Sequence, residues 1–309
     1  MAFGSGISPD VVRTLLDDVW DQTFSGEESP NFATALDEML FVQSTTDRAA
    51  EVMEMFKGVG EWESTEEEED LPQGNPRVGN QKIFNVANWK KQINIPIEFF
   101  EDDQHDSYEK MVRNFARRAQ TTRDKTAFAA YRNAFTTELT ADGLSWINDS
   151  HINMSGRTIS NKLTTALSET SLNDAINLLL EMRSQDDEQD GFTPYCLLVP
   201  NRLFKTAYEI LDAELQSFTT DNNPNIYSAK YGIYLKQTFR IGASAGGSDT
   251  AWFLLSKDHS NMRFVRKAVE TSLVDYKLSD NDVYKYKGRY REAYGALSYE
   301  GVVASTGLT

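Results

Sequence analysis

The 309-residue chain is strongly acidic: 47 aspartates and glutamates oppose 31 lysines and arginines, which gives a formal net charge of −16. Such a chain repels a polyphosphate as a whole, so a general basic surface for nucleic acid is excluded and any basic patch must be local. The length exceeds the usual size of one hydrophobic core, which predicts two linked domains or one domain with large excursions.

Cys196 is the only cysteine, which excludes an internal disulfide and a cysteine-based zinc or iron–sulfur site. The N-terminal sequence MAFGSGISPD has no basic flank before an apolar stretch. No window approaches the roughly 20 apolar residues of a membrane span. We therefore expect a soluble protein without a secretory signal or membrane segment, made in a reducing cytoplasm.

The N-terminal region is predicted to depend on the rest of the protein. SPDVVRTLLDDVW predicts a short amphipathic helix with Pro9 at its first position and an apolar face formed by Val12, Leu15, Leu16 and Val19. Residues 32–41 show little periodicity, and the stretch up to about Met55 lacks the apolar density to fold alone. We expect it to lie on another surface.

Residues 58–80 combine glycines and prolines with a dense acidic run from Glu66 to Asp70, which is typical of an exposed loop. The flanking sequences have strand composition, and the second alternates through Ile93, Ile95 and Ile97. These features predict a long two-stranded hairpin with an acidic tip. A charge run is also typical of a solvated loop that contacts nothing, and this alternative stays open.

A single long helix is predicted from about Ser107 to Phe135, because apolar or small residues recur there at three- and four-residue steps. Asp106 or Ser107 would cap it. Its outer face is predicted to be basic, with only Glu109 and Asp124 opposing Lys110, Arg113, Arg117, Arg118, Arg123, Lys125 and Arg132.

The remainder of the chain alternates between helical and strand patterns. Ser171 and Asp174 form a capping pattern ahead of a helix, and a second helix is predicted from Asn201 to Leu211. The predicted strands are YCLLVP, YGIYLKQTFRI, AWFLLS, NMRFVRKAV, TSLVDYKLS and VYKYKGRYREAYG.

The last of these strands separates two kinds of side chain by period-two alternation. Odd positions carry Lys285, Lys287, Arg289 and Arg291, and even positions carry Tyr284, Tyr286, Tyr290 and Tyr294. We predict that the tyrosines pack on a core, against the long helix, while the basic groups meet water, a neighbouring subunit or nucleic acid.

Catalytic motifs are scarce. His105, His151 and His259 are far apart and lie in no metal-binding spacing. Glu101, Asp102 and Asp103 could hold a cation, but acidic residues before a helix are explained more simply by the helix dipole. NDSH at 148–151 is typical of a turn stabilised by Asn148 and Asp149. No catalytic, metal or cofactor-binding residue is predicted.

Several segments, taken in order, resemble a known family. DGLSWINDSH, SNKLTTALSETSLNDAINLLLEM, YCLLVPNRLFKTAYEIL, NNPN, AWFLLS and VYKYKGRYREAYG resemble the major head subunit of Mu-like phages, over roughly residues 50–305. The chain is thus similar to the major capsid proteins of tailed bacteriophages with the Hong Kong 97-type fold.

The resemblance implies an α+β fold with five parts. These are an N-terminal arm (1–55), an extended β-hairpin loop (56–97), a peripheral domain with a long spine helix (98–170), a mixed α/β axial domain (171–270) and C-terminal strands that return to the peripheral domain (271–309).

The implied function is structural. The subunit would form the hexamers and pentamers of an icosahedral shell around double-stranded phage DNA, assembling in the host cytoplasm and residing in the virion, with no cofactor. No long coiled-coil segment precedes the arm, so we expect a separate scaffolding protein, beside a portal and a possible decoration protein. Packaged DNA would be contacted non-specifically at most. The alternative is a cytoplasmic metal-dependent hydrolase that uses Glu101, Asp103, His105 and His151.

The resemblance also relates the two charged regions. In the resembled fold the long loop lies over the peripheral domain of the adjacent subunit. We therefore predict a contact between subunits in which the acidic residues Glu66, Glu67, Glu68, Glu69 and Asp70 meet the basic residues Arg113, Arg117, Arg118 and Lys125.

Overall fold

The computed structural model describes residues 9–24, 32–58, 64–65, 70, 73–74, 76–98, 107–211, 232–274 and 283–308. The helices of this part are α1 (Pro9–Phe24), α2 (Ser107–Ala127), α3 (Ala129–Arg132), α4 (Glu169–Leu180) and α5 (Phe204–Leu211), with 3₁₀ turns at Asn201–Leu203 and Ala243–Ala245. No helix in these ranges is long and apolar enough to cross a membrane.

The strands form two main sheets and two small ones. Their bounds are β1 (Val42–Thr45), β2 (Ala50–Lys57), β3 (Arg77–Asn85), β4 (Ala87–Pro96), β5 (His151–Ile152), β6 (Thr158–Ile159), β7 (Lys162–Leu163), β8 (Pro194–Pro200), β9 (Tyr234–Thr238), β10 (Trp252–Ser256), β11 (Asn261–Val274), β12 (Val283–Ala296) and β13 (Val302–Ser305). One sheet has the order β1-β11-β12-β4 and the other β7-β13-β10-β8-β9, while β2 pairs with β3 and β5 with β6.

The five-stranded sheet is buried on both faces. On β8, Cys196 and Leu198 pack in one apolar cluster with Tyr131 and Phe253, while Leu197 and Val199 pack in a second cluster with α4 and α5. A strand covered on both faces has a continuous apolar run rather than an alternating one. The predicted buried strand YCLLVP is thereby confirmed.

The four-stranded sheet packs on two helices. Val12, Leu16 and Trp20 of α1 form a cluster with Val112, Phe115 and Ala116 of α2 and with the sheet residues Ile95, Tyr284 and Tyr286. Val12 and Leu16 of the predicted apolar stripe are therefore buried against the rest of the chain, and Leu15 and Val19 are half-buried. Leu40 and Phe41 also lie in the core, beside Phe128 and Tyr131, whereas Leu36 is exposed.

The predicted hairpin is confirmed, since β2 and β3 pair antiparallel from Ala50↔Asn85 to Lys57↔Arg77. The sequence that follows the acidic loop does not form one strand, however, but two, β3 and β4. The chain leaves the hairpin at Val86, whose N–H donates to the Ala49 carbonyl, and β4 then pairs with β12. The strand predicted at NMRFVRKAV and the first four residues of TSLVDYKLS instead form one continuous strand, β11, which has two irregularities in its register. Residues 275–279 of the second predicted strand lie outside the described residues.

The prediction of one helix up to Phe135 is wrong. Helix α2 ends at Ala127, Phe128 adopts φ −74° and ψ 0°, and the short α3 ends at Arg132. Backbone hydrogen bonds continue across the break, from Phe128 N to Asp124 O and from Arg132 N to Phe128 O. The break places the fully buried Phe128 ring 5.7 Å from that of Phe41, so core packing overrides the helical pattern.

The predicted cap of α4 is also displaced. The cap is Ser168, whose hydroxyl accepts from the Ser171 N–H while the Ser171 hydroxyl accepts from the Ser168 N–H. Ser171 is therefore the third helical residue rather than the cap, and Asp174 takes no part.

Candidate intersubunit surface

The predicted basic side of α2 is exposed over most of its length. Arg113, Arg117, Arg118 and Lys125 are all exposed, and we call these four residues the basic helix face. Arg113 forms an ion pair with Glu109 on the same helix. No ion pair within the described residues involves Arg117, Arg118 or Lys125. Three cations of this face thus remain available to a partner.

Two residues predicted on that side lie elsewhere. Arg132 is half-buried, and its guanidinium donates to the carbonyls of Arg240 and Lys125. Arg123 is 5% exposed and lies against Glu292 of β12 and the ring of Tyr290. The prediction that Arg123 is exposed is wrong, because its guanidinium contacts an acidic partner inside the protein.

The helix is held in place by aromatic packing beneath it. The Phe115 ring lies 5.2 Å from Trp20 of α1 and 6.0 Å from Tyr286 of β12. Helix α2 is thus fixed between α1 and the sheet. Its inward residues recur at three- and four-residue steps, which leaves the basic helix face pointing outward.

The tyrosines of β12 occupy the inner side of the sheet. Tyr284, Tyr286 and Tyr290 are buried, and Tyr294 is half-buried with its hydroxyl donating to Glu292 Oε2 over 2.5 Å. The Tyr286 hydroxyl donates to Asp17 Oδ1 over 2.8 Å. Burial, together with the Asp17 carboxylate, raises the pKa of Tyr286 above its usual range.

The basic side chains of β12 lie on the opposite side of the sheet. Lys287 and Arg289 are exposed, Lys285 is half-buried, and the cross-strand neighbour of Arg289 on β4 is Lys90. Arg289 Nε lies 3.3 Å from Glu270 of β11. This surface adds a second patch of positive charge to an acidic protein.

The buried position of Glu292 was not predicted from the sequence. It is 1% exposed and lies 2.6 Å from Arg263 Nη2 and 3.5 Å from Arg123 Nε. A signal was present, because position 292 has the same parity as the buried tyrosines and so points inward. A carboxylate on the inner side of a strand requires a buried cationic partner.

The acidic partner is only partly described. Asp70 is exposed, and Glu66, Glu67, Glu68 and Glu69 lie outside the described residues. The chain on either side is placed, because Lys57 and Arg77 pair at the end of the β2–β3 hairpin from which the connecting segment leaves. The acidic run therefore connects the two strands at that end.

The residues of the hydrolase hypothesis do not form a described site. Glu101, Asp103 and His105 lie outside the described residues. His151 is fully buried, with Nδ1 2.6 Å from Asp142 Oδ2 and its ring 4.9 Å from Tyr299. Burial would raise the pKa of Asp142, but hydrogen bonds from His151, Thr140 and the Leu144 amide lower it. No cluster of three metal-ligating side chains occurs in the described part of the chain.

The NDSH segment forms the predicted turn. The Asn148 side-chain carbonyl accepts from the Ser150 N–H over 3.0 Å, and the Ser150 hydroxyl donates to Asp149 over 2.8 Å. These contacts are those of a local turn stabilised by side chains.

Comparison with known proteins points to one family. The sequence matches the phage capsid protein family over residues 80–305. No curated protein matches it significantly. Among solved structures, the capsid of Myoviridae phage XM1 is similar with a TM-score of 0.55 at 13% identity, covering 99% of this chain and 100% of that one.

Two further structures agree with this. The mature capsid of bacteriophage PhiM1 has a TM-score of 0.57 at 12% identity, with 91% of this chain and 89% of that chain covered. A virus-like particle from Pyrococcus furiosus has a TM-score of 0.55 at 11% identity, with 94% and 98% covered. The chain belongs to the phage capsid protein family: it is a structural major capsid protein of the Hong Kong 97-type fold, which assembles into the icosahedral shell of a bacteriophage head.

Proposed function

We propose that the acidic run from Glu66 to Asp70 of one subunit docks on the basic helix face of a neighbouring subunit and sets the register between copies of the shell. The observation that carries this proposal is the exposure of Arg117, Arg118 and Lys125, which have no acidic partner among the described residues. The acidic run supplies the complementary charge.

The stabilisation that such a contact gives to the shell comes from its repetition at every subunit interface. One exposed ion pair contributes only about 0 to 1 kcal/mol and is screened by salt. A cluster of four or five charges repeated at every subunit contact guides docking and disfavours wrong registers, because like charges would then face each other. Assembly should accordingly slow as ionic strength rises.

Within this account the chain divides as an arm (1–55), a docking loop (56–97), a peripheral domain (98–170), an axial domain (171–270) and returning C-terminal strands (271–309). Two features support the division. Helix α2 and β12 pack together, and the five-stranded sheet has its own core with α4 and α5. The subunits would meet as hexamers and pentamers.

The subunit acts as a structural protein rather than an enzyme, and it needs no cofactor. Its partners besides itself are a separate scaffolding protein, a portal and a decoration protein, and it assembles in the host cytoplasm. Contact with packaged DNA is non-specific, through local basic patches such as Lys287 and Arg289, because the net charge of −16 opposes a broader interface.

Charge reversal tests the docking contact. Replacing Glu66, Glu67, Glu68 and Glu69 with lysine should block or misdirect assembly while the subunit stays folded. Adding Arg113→Glu, Arg117→Glu and Arg118→Glu should partly restore it. The matched control is the loss of two exposed cations elsewhere, Arg202→Glu with Lys205→Glu, which should not restore assembly. Normal heads formed at the usual rate by the four-lysine variant in low salt would refute the contact.

A further inference from the structure

A cavity of about 290 Å³ opens where α1, α2 and the four-stranded sheet meet. Four aromatic side chains line it: Trp20, Trp89, Phe115 and Tyr290. Its volume is at the small end of the range for ligand pockets, so it suits one large side chain rather than a cofactor.

The cavity arises from a gap in the row of tyrosines. The inner side of β12 reads Tyr284, Tyr286, Gly288, Tyr290, and Gly288 lines the cavity without a side chain of its own. A Cβ added at Gly288 would lie 3.3 Å from the Phe115 ring. A glycine inside a strand commonly marks the close approach of another group.

Two hydrogen-bond donors at this cavity are unused. Within the described residues, the buried Trp89 Nε1 and Tyr290 hydroxyl have no hydrogen-bond partner. Their rings stack with centroids 6.2 Å apart, and Tyr290 is 5% exposed. Burial raises the pKa of Tyr290 to about 12, so its hydroxyl keeps its proton at neutral pH. Buried polar groups normally find partners, so an acceptor is missing here.

The rim of the cavity is cationic. Arg118 of the basic helix face and Lys91, the neighbour of Gly288 on β4, line it and are exposed. Neither forms an ion pair within the described residues. The fitting occupant therefore combines an aromatic ring with carboxylates.

The chain contains such a segment in Glu61-Trp62-Glu63, just before the acidic run. Of its five tryptophans, Trp20, Trp146 and Trp252 are buried in the described structure, and Trp89 forms a wall of the cavity. We propose that Trp62 of a second copy of this chain inserts into the cavity, with Glu61 and Glu63 meeting the cationic rim and accepting from Trp89 and Tyr290. This inference rests on the proposed function and names the anchor of that contact.

The loop end of the hairpin packs on a different part of its own subunit. Lys57 donates to the Ser155 hydroxyl, and Met55 packs in the cluster of α4 and α5. Trp20 and Phe115 of the cavity belong to the separate cluster of α1, α2 and the four-stranded sheet. The occupant that we propose is therefore the segment of a second copy.

Nucleic acid is the competing occupant, because basic and aromatic groups also bind exposed bases. Double-stranded DNA keeps its bases stacked inside the duplex, so it offers phosphates to the rim but no ring to the aromatic walls. The cavity and the unused donors behind the rim thus favour the protein segment.

Cross-linking between two kinds of subunit tests the insertion. Subunits with Glu63→Cys are co-assembled with subunits carrying Lys91→Cys and then oxidised, and disulfide-linked pairs are counted on a non-reducing gel. The native Cys196 is fully buried and does not interfere. We expect linked pairs for Lys91→Cys and at least about tenfold fewer for the control Lys205→Cys, an exposed residue of α5 outside the cavity. Adding Trp62→Ala to the first subunit should reduce the linked pairs by a similar factor. An equal number of linked pairs with and without Trp62→Ala would overturn the proposal.

Peptide binding supplies an independent readout. A fluorescent peptide of residues 58–72 is titrated with the intact unassembled subunit. Trp62→Ala in the peptide, or the cavity-filling Ala119→Leu in the subunit, should each weaken binding at least about tenfold. Unchanged binding would overturn the insertion. If instead the peptide with Glu66, Glu67, Glu68 and Glu69 changed to lysine binds as well as the native one, the charge contact of the proposed function fails separately. Ala119→Leu that weakens the binding of single-stranded DNA but not of the peptide would assign the cavity to nucleic acid.

Discussion

Arg263 and Glu292 form a buried ion pair, with Nη2 and Oε1 2.6 Å apart and side chains only 6% and 1% exposed. Arg123 of α2 approaches the other carboxylate oxygen to 3.5 Å, and Arg263 also donates to the Gln43 side chain of β1 over 2.9 Å. One carboxylate thus joins the long helix, the two central strands and the N-terminal strand.

Removing this carboxylate should be costly. Glu292→Gln leaves the buried guanidinium of Arg263 without the counter-charge of its ion pair, and breaking a buried pair costs about 3 to 5 kcal/mol. Urea unfolding of the unassembled subunit measures the loss. The control is Glu270→Gln, whose side chain is 46% exposed and should cost under about 1 kcal/mol. Equal losses in the two variants would show that the buried cluster is unimportant.

The inner side of β12 gives a second prediction. Tyr290→Asp should prevent soluble folding, because an unpaired carboxylate would be buried against Phe115 and Trp20. Tyr290→Phe removes a hydroxyl without a described partner and should change the free energy of unfolding by under about 1 kcal/mol. Soluble expression and circular dichroism distinguish the two. A folded, assembling Tyr290→Asp variant would contradict the burial.

The burial of these tyrosines follows from simple alternation, since Tyr284, Tyr286 and Tyr290 share the parity of the core side. The hairpin and the strand YCLLVP were also predictable, because both depend on local patterns of apolar residues. The break at Phe128 was not, because it depends on Phe41, a residue far away in sequence.

The N-terminal region should not fold by itself. A peptide of residues 1–55 would lose Phe115 and Tyr286, which pack on Trp20, and Phe128 and Tyr131, which pack on Phe41. We expect it to show no cooperative thermal transition by circular dichroism. A sharp transition in the isolated segment would contradict this dependence.

His259 should make stability depend on pH. Burial lowers its pKa below the usual 6.5, while Nε2 donates to the Met39 carbonyl and Nδ1 accepts from the Asn261 N–H. The unfolded chain therefore binds the proton more readily, so this stabilisation is full above about pH 6.5 and is lost as pH falls through the folded pKa.

The matched variant is His259→Gln, which cannot titrate. Between pH 7.5 and pH 5, the free energy of unfolding should fall further in the native protein than in this variant. Glu300 and Asp124, whose pKa values burial raises, are common to both proteins and cancel in the difference. Parallel pH profiles would show that His259 contributes nothing.

The candidate site was predictable in its charges but not in its shape. Arg113, Arg117, Arg118 and Lys125 follow from helical periodicity on an acidic chain. The cavity requires three elements to meet at Gly288, and no local pattern reports where α1 packs. Arg123 was misplaced for the same reason, since its partner Glu292 is distant in sequence.

A cryo-electron microscopy map of the assembled shell at side-chain resolution would show where the acidic segment of each subunit lies. The map should show residues 61–70 of one subunit lying along α2 of its neighbour, with Trp62 in the cavity beside Gly288 and carboxylates near Arg117 and Arg118. A shell in which this segment points into solvent, or lies on its own subunit, would contradict the account.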